Sequence, residues 1–150
     1  MAVDVKIVDA AETLPLRRRV LRPHQTIDEL AAEDRQHSEM IAFAAFDGGD
    51  IVGVGTVHRE AAPWEPQDAG SWRLRAMATD ESHRQRGIGT AVLEAVVRHV
   101  GERGGGLLWC TARTSALGFY EGADFQVRGE SWEEPVIGPH VAMHRLVPSA

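Results

Sequence analysis

The chain has 150 residues, 43% of them hydrophobic, which suffices for one substantial core and is short for two ordinary domains, so a single domain over residues 1–150 is expected. Its formal net charge of −6 speaks against a surface built to follow a phosphate backbone, and nucleic acid is not an expected partner. No run approaches the roughly 20 apolar residues that span a bilayer, and Asp4, Lys6 and Asp9 interrupt the stretch from Met1 to Ala10, so neither a signal peptide nor a membrane anchor is expected.

In chain order, Val5 to Val8 reads as a first strand, and Ala11 to Arg22 as a helix that Pro23 should stop. Thr26 or Asp28 supplies an N-cap for a short second helix through Leu30 and Ala31, and Asp34 to Glu39 reads as loop. Ile41 to Phe46 and Ile51 to Val57 flank Asp47-Gly48-Gly49-Asp50, the pattern of a hairpin. Ala61 to Gly70, with Pro63, Trp64 and Pro66, reads as irregular loop, and Trp72 to Thr79 as a strand.

The clearest helix follows, with Ile88, Ala91, Val92, Ala95, Val96 and Val100 on one face and Gly101 as its natural stop. Leu107 to Ala112 reads as a buried strand, and Ser115 to Glu121 as a short helix capped by Thr114 or Ser115. Phe125 to Arg128 and Val141 to Leu146 alternate as strands do. This order implies an α/β (α+β) fold, a mixed sheet with helices on its faces.

Between the Thr79 strand and the Ile88 helix lies Arg84-Gln85-Arg86-Gly87-Ile88-Gly89. A helix N-terminus directs unpaired amides and the positive end of its dipole outward, glycines admit a ligand close to the backbone, and Arg84 and Arg86 add charge-assisted donors, so the segment suits a pyrophosphate. A lone Gly-x-Gly more often serves only a tight turn, so the context must decide. A Walker loop needs Gly-Lys-Ser or Gly-Lys-Thr, which the chain lacks, and a dinucleotide fingerprint needs a third glycine after Gly87-Ile88-Gly89.

The segment resembles the pyrophosphate signature of the GNAT superfamily of N-acetyltransferases: Arg or Gln, two residues, Gly, one residue, Gly or Ala. The element order and Phe119-Tyr120-Glu121 extend the resemblance over nearly the whole chain, and Leu74 to Thr79, Leu108-Trp109-Cys110 and Gly138 to Val141 are more weakly similar to a bacterial ElaA-like branch. The resemblance implies about seven strands and about four helices, with the Trp72 and Leu107 strands splayed to hold acyl-CoA. It implies acetyl-CoA as co-substrate, its pyrophosphate on the amides of Gln85, Arg86, Gly87, Ile88, Gly89 and Thr90 with Arg84 as a cofactor-binding residue beside them, and its pantetheine arm along Met77, Ala78 and Thr79. It also implies direct acetyl transfer to a primary amine in a ternary complex, with Tyr120, the one tyrosine of the chain, as general acid for the CoA thiolate. The alternative is a non-catalytic acyl-CoA-binding sensor or interaction module.

Cys110 raises a rival route through an acetyl-cysteine, but it lies in an apolar run without an adjacent histidine, and packing is its expected role. Its solitary state, which precludes an internal disulfide, fits a cytoplasmic protein. His140 and His144 share a strand face but have no partner at a recognisable ligand spacing, so no metal is expected. Glu60, Glu130, Glu133, Glu134 and His140 are available as general bases without one standing out, and a water chain would also serve. Arg17-Arg18-Arg19 reads as a solvated helix face. The acceptor, a small-molecule or peptide amine, should meet Pro23 to Met40 and Ser131 to Pro139, the least regular segments, and a homodimer is left open. Two positions depart from the family pattern: Arg113 where many members have asparagine, and Ala123-Asp124 where Leu-Gly is usual. Asp124 tolerates the left-handed conformation, so the turn before Phe125 should survive.

Overall fold

The computed structural model describes residues 3–150, which leaves Met1 and Ala2, the start of the expected domain, outside the described residues. Its elements are β1 (Asp4–Val8), α1 (Ala10–Val20), α2 (Ile27–Asp34), β2 (Ile41–Asp47), β3 (Asp50–Arg59), β4 (Trp72–Thr79), α3 (Ile88–Glu102), β5 (Gly106–Arg113), α4 (Leu117–Glu121), β6 (Gln126–Glu134) and β7 (Gly138–Val147). Short 3-10 turns over Glu81–His83 and Thr114–Ala116 precede α3 and α4. The seven strands form one mixed sheet in the order β1-β2-β3-β4-β5-β7-β6. The expected element order therefore holds, and the chain folds as two compact units.

The first unit comprises the chain up to Arg59 together with Leu74–His99. Its centre is the β2–β3 hairpin, whose two-residue turn at Gly48-Gly49 pairs Asp47 with Asp50. Ala42 to Ala45 are buried in succession, as an apolar run covered on both faces must be. On one face Leu16 of α1 packs with Ala44, Val54 and Ala78. On the other, α3 approaches so closely that a Cβ on Gly53 would lie 2.5 Å from Ile88 Cγ2, and one on Gly55 would lie 2.6 Å from Met77 Sδ and 3.0 Å from Val92 Cγ1. Alongside Ile88, Val92, Val96 and Val100, α3 buries Leu93 and His99, and the His99 ring meets Phe43 edge-on at 5.6 Å.

Three local expectations change in this unit. Thr26, not Asp28, caps α2: its Oγ1 accepts the Glu29 N–H at 3.1 Å while Glu29 Oε1 accepts the Thr26 N–H at 2.9 Å. The helix runs on through Asp34, whose carboxylate accepts from Nη1 and Nη2 of Arg17 at 2.7 and 2.8 Å. Both side chains are nearly sequestered, at 6% and 9% exposure. Arg17-Arg18-Arg19 is thus not merely a solvated face: Arg17 ties α1 to α2, and Arg19 pairs with Asp80 and Glu81.

The second unit, Glu60–Arg73 with Val100–Ala150, contains an eight-pair antiparallel β5–β7 ladder from Gly106↔Val147 to Arg113↔His140. The parallel β4–β5 ladder holds two pairs, Trp72↔Leu108 and Arg73↔Trp109. Gly101 does not stop α3 but lies inside it. The stop is a Schellman turn at Gly104 (φ 101°), with the Gly105 N–H on the Val100 carbonyl at 2.9 Å and the Gly104 N–H on that of Gly101 at 3.2 Å. Ser131 to Glu134 belong to β6, and Gly138 and Pro139 to β7, so the expected irregular segment shrinks to a turn over residues 135–137. Neither Thr114 nor Ser115 caps α4: both lie in the preceding 3-10 turn, and the N-cap position falls on Ala116.

The α3–β3 contact leaves no room for a branched side chain. Gly53→Val should lower unfolding free energy by about 1–3 kcal/mol, the range for overpacking, measured by urea denaturation followed by circular dichroism. A midpoint equal to that of the parent protein would refute the tight contact.

Candidate functional site

All the residues expected to grip the cofactor lie in the first unit, from the end of β4 to the start of α3. Ala76 sits inside β4 with φ 58°, a left-handed residue that turns the backbone off its pleat. The buried Thr56 hydroxyl donates to the Arg75 carbonyl at 3.1 Å just before this point. Beyond it Ala78 points into the α1-side core, Met77 Sδ lies near Gly55 on the α3 side, and Thr79 is half-buried.

Downstream, Arg84, Gln85, Arg86 and Gly87 are all exposed, whereas Ile88 is buried and anchors the first turn of α3. Gln85 (φ 63°) and Gly87 (φ 78°) both adopt left-handed conformations. Such residues in alternation with ordinary ones curl the main chain and turn successive N–H groups towards one side, as in the nests that bind anions. The first α-helical bond at the start of α3 is the Ala91 N–H on the Gly87 carbonyl at 3.0 Å. The amides of Ile88, Gly89 and Thr90 precede it and project from the helix end. Two arginines, a curled backbone and a helix N-terminus are thus brought together, and they fit a pyrophosphate. Nothing would crowd a Cβ at Gly87; its positive φ explains the glycine.

Tyr120 is in the second unit, on α4 and 7% exposed. Its ring meets Phe119 at 5.0 Å and Phe125 at 5.4 Å, both edge-on. The turn that follows is built as expected: Asp124 has φ 70°, and the Ala123 and Phe125 N–H groups both donate to the Tyr120 carbonyl, at 2.9 and 3.0 Å. Burial pushes the Tyr120 phenol well above its ordinary value, with a further contribution from Cys110, so it holds its proton. Cys110 is itself buried, and desolvation raises its thiol to about 12 against the opposing pull of Arg73. A neutral thiol is a poor nucleophile, which disfavours the acetyl-cysteine route.

The groups available as general bases are distributed over the second unit. Glu60 pairs with Arg73 at 3.0 Å, Glu134 accepts the Trp132 indole N–H at 2.8 Å, and the His140 Nδ1 lies 2.8 Å from the Gly138 carbonyl. Glu130 and Glu133 are exposed. The loop expected around Trp64 is present, and Trp64 meets Trp109 at 5.9 Å and His144 at 5.7 Å while the Arg128 guanidinium lies over it at 5.2 Å. Burial, with help from Arg128, lowers the His144 pKa below its ordinary value. Sequence reasoning missed the Arg19–Asp80–His83–Asp47 cluster beside the glycine loop, since its members are scattered along the chain. The one local signal was Asp80-Glu81-Ser82-His83 immediately before Arg84.

Residues 8–125 match the acetyltransferase (GNAT) family, and the chain belongs to that family. The uncharacterized N-acetyltransferase YitI of Bacillus subtilis (strain 168) is 27% identical over 145 residues, covering 97% of each chain. The fold is similar to that of the ribosomal-protein-S18-alanine N-acetyltransferase from Escherichia coli, with TM-score 0.76 at 16% identity over 99% of this chain and 96% of that one. It is also similar to an aminoglycoside 6'-N-acetyltransferase solved in complex with coenzyme A, with TM-score 0.74 at 18% identity over 96% and 97%. These similarities support the superfamily without singling out the ElaA-like branch.

A buried thiol held neutral should resist modification. At pH 8 an aromatic disulfide reagent should titrate no thiol in the native protein and one after unfolding; rapid native labelling would mean that Cys110 is accessible and ionisable.

Proposed function

We propose that this chain is one N-acetyltransferase domain over residues 1–150 that moves an acetyl group from acetyl-CoA to a primary amine. The observation that carries the reading is the curled, exposed backbone at Gln85 and Gly87 running into the amides of Ile88 to Thr90. Pyrophosphate is held there, with Arg84 and Arg86 supplying charge. The pantetheine arm lies along Met77 to Thr79, which stand beyond the two β4–β5 pairs. That placement lets an extended amide-bearing ligand bond to strand main chain.

The chemistry is a direct transfer. The neutral amine attacks the thioester carbonyl carbon, the C–N bond forms, and the C–S bond breaks with its electron pair leaving on sulfur. Tyr120 gives its phenolic proton to that thiolate, the proton lost by the amine passes through water to solvent, and the phenolate regains a proton from solvent before the next turnover. Support comes from the burial of Tyr120, which keeps the phenol protonated across the physiological range. The acceptor is a small-molecule or peptide amine.

An amine panel with thiol release from acetyl-CoA as readout tests the assignment: at least one primary amine should stimulate release severalfold over hydrolysis. Tight CoA binding with no turnover on any amine would point instead to a binding module. Tyr120→Phe should lower kcat by about 10²-fold, as for loss of a positioned acid, and leave the KM for acetyl-CoA near its parent value. An unchanged kcat would remove Tyr120 from the mechanism.

A further inference from the structure

His83 is the last residue before Arg84, and its ring is enclosed by acidic groups from two other places in the first unit. Nδ1 lies 2.7 Å from Asp80 Oδ2, at the end of β4, and Nε2 lies 3.2 Å from Asp47 Oδ2, at the β2–β3 turn. A neutral imidazole carries one N–H, whereas an imidazolium donates from both nitrogens and so reaches both carboxylates at once. Asp80 is in turn fixed from three sides: Arg19 of α1 and the Ser82 hydroxyl bond its carboxylate, and its main-chain N–H donates to the Val52 carbonyl at 2.8 Å. The clamp therefore joins α1, the hairpin turn and the end of β4 to the residue that enters the glycine loop.

That loop needs an external hold. Gln85 occupies the left-handed region at φ 63° with a side chain that disfavours it, and its neighbours are exposed. We propose that His83 is a positioning residue for acyl-CoA, an imidazolium clamped between Asp80 and Asp47 that fixes the Arg84–Gly87 backbone for the pyrophosphate and adds positive potential beside it. The proposal rests on the reading of that loop as the pyrophosphate site. It assigns to a protonatable group outside the glycine signature a share of cofactor affinity.

The charged surroundings favour the protonated ring. The Asp80 hydrogen bond raises the His83 pKa most and Asp47 adds to this, while desolvation and the nearby Arg86 oppose; Arg19 and Glu81 pair with one another at the rim. Asp80 is held well below the usual carboxylate range by Ser82, His83 and Arg19, so it remains an acceptor throughout. The sign follows from these directions. The clamp is complete below the ordinary histidine value of 6.5 and is lost as pH rises through the elevated value of the folded protein.

The test is CoA affinity measured by calorimetry between pH 6 and pH 9 for the parent protein, His83→Gln and Asp47→Asn, with the His83 ring titrated in parallel by NMR. The parent should lose about two- to fivefold in affinity across that range, the size of one charge acting at a helix N-terminus, with a midpoint matching the His83 titration above 6.5. His83→Gln should bind more weakly at pH 6 and show no such midpoint, and Asp47→Asn should move the midpoint downward. Comparison at each pH cancels ionisation of CoA itself, and thermal melts of the free proteins separate weaker binding from loss of fold. Parent-like affinity and pH profile in a folded His83→Gln protein would overturn the positioning role alone. No CoA binding by the parent at any pH would overturn it together with the pyrophosphate assignment.

Discussion

The first unit depends on the missing β-carbons of Gly53 and Gly55. Glycine inside a strand forfeits packing and costs chain entropy, but here its absent side chain is the space into which Ile88 and Val92 of α3 settle. Burial of those two side chains offsets the cost, since each complete apolar side chain removed from water contributes on the order of 1.5–3 kcal/mol. The contact fixes the first turn of α3 against β3, and that turn fixes where the glycine loop must end. Displacing α3 outward by one methyl would move the exposed amides with it. The geometry of the glycine loop is therefore a consequence of packing on β3, the strand next to the one that leads into the loop.

Charge is used locally in this acidic chain. The net charge of −6 conceals a set of short arginine partnerships: Arg17 with Asp34 in the interior, Arg19 with Asp80 and Glu81 at the rim, and Arg73 with Glu60 in the second unit. Arg84 and Arg86 stand exposed on the loop where Gln85 and Gly87 take positive φ. Asp80 is the most connected of the carboxylates, joining helix, strand end and 3-10 turn. In the second unit the dominant electrostatic influence is desolvation. Burial keeps both the Tyr120 phenol and the Cys110 thiol protonated, which disfavours a nucleophilic thiol in that core.

The secondary structure was largely legible because its signals are local. Apolar alternation marked the strands, a 3.6-residue repeat marked α3, and Gly48-Gly49 marked the hairpin. Element ends were less legible where two codes compete. Gly101 looks like a helix stop, yet three further glycines follow it, and the one at position 104 takes the left-handed turn. Ser131 to Glu134 look like a wet loop because every one of them is polar or aromatic, yet they lie in an edge strand in which Trp132 to Glu134 pair with β7, since an edge strand needs no buried face.

By itself the sequence determined the order of elements and, through the Arg84–Gly89 signature, the family. Only the tertiary structure decided which charges are buried, which carboxylates meet His83 and how close α3 comes to β3. The physical reason is separation along the chain. Arg17 meets Asp34 across 17 residues and His83 meets Asp47 across 36, and no local propensity encodes such pairs. They arise when the apolar faces of helix and strand have already been brought together, and for Arg17 and Asp34 burial is what makes an unpaired charge costly and its partner necessary.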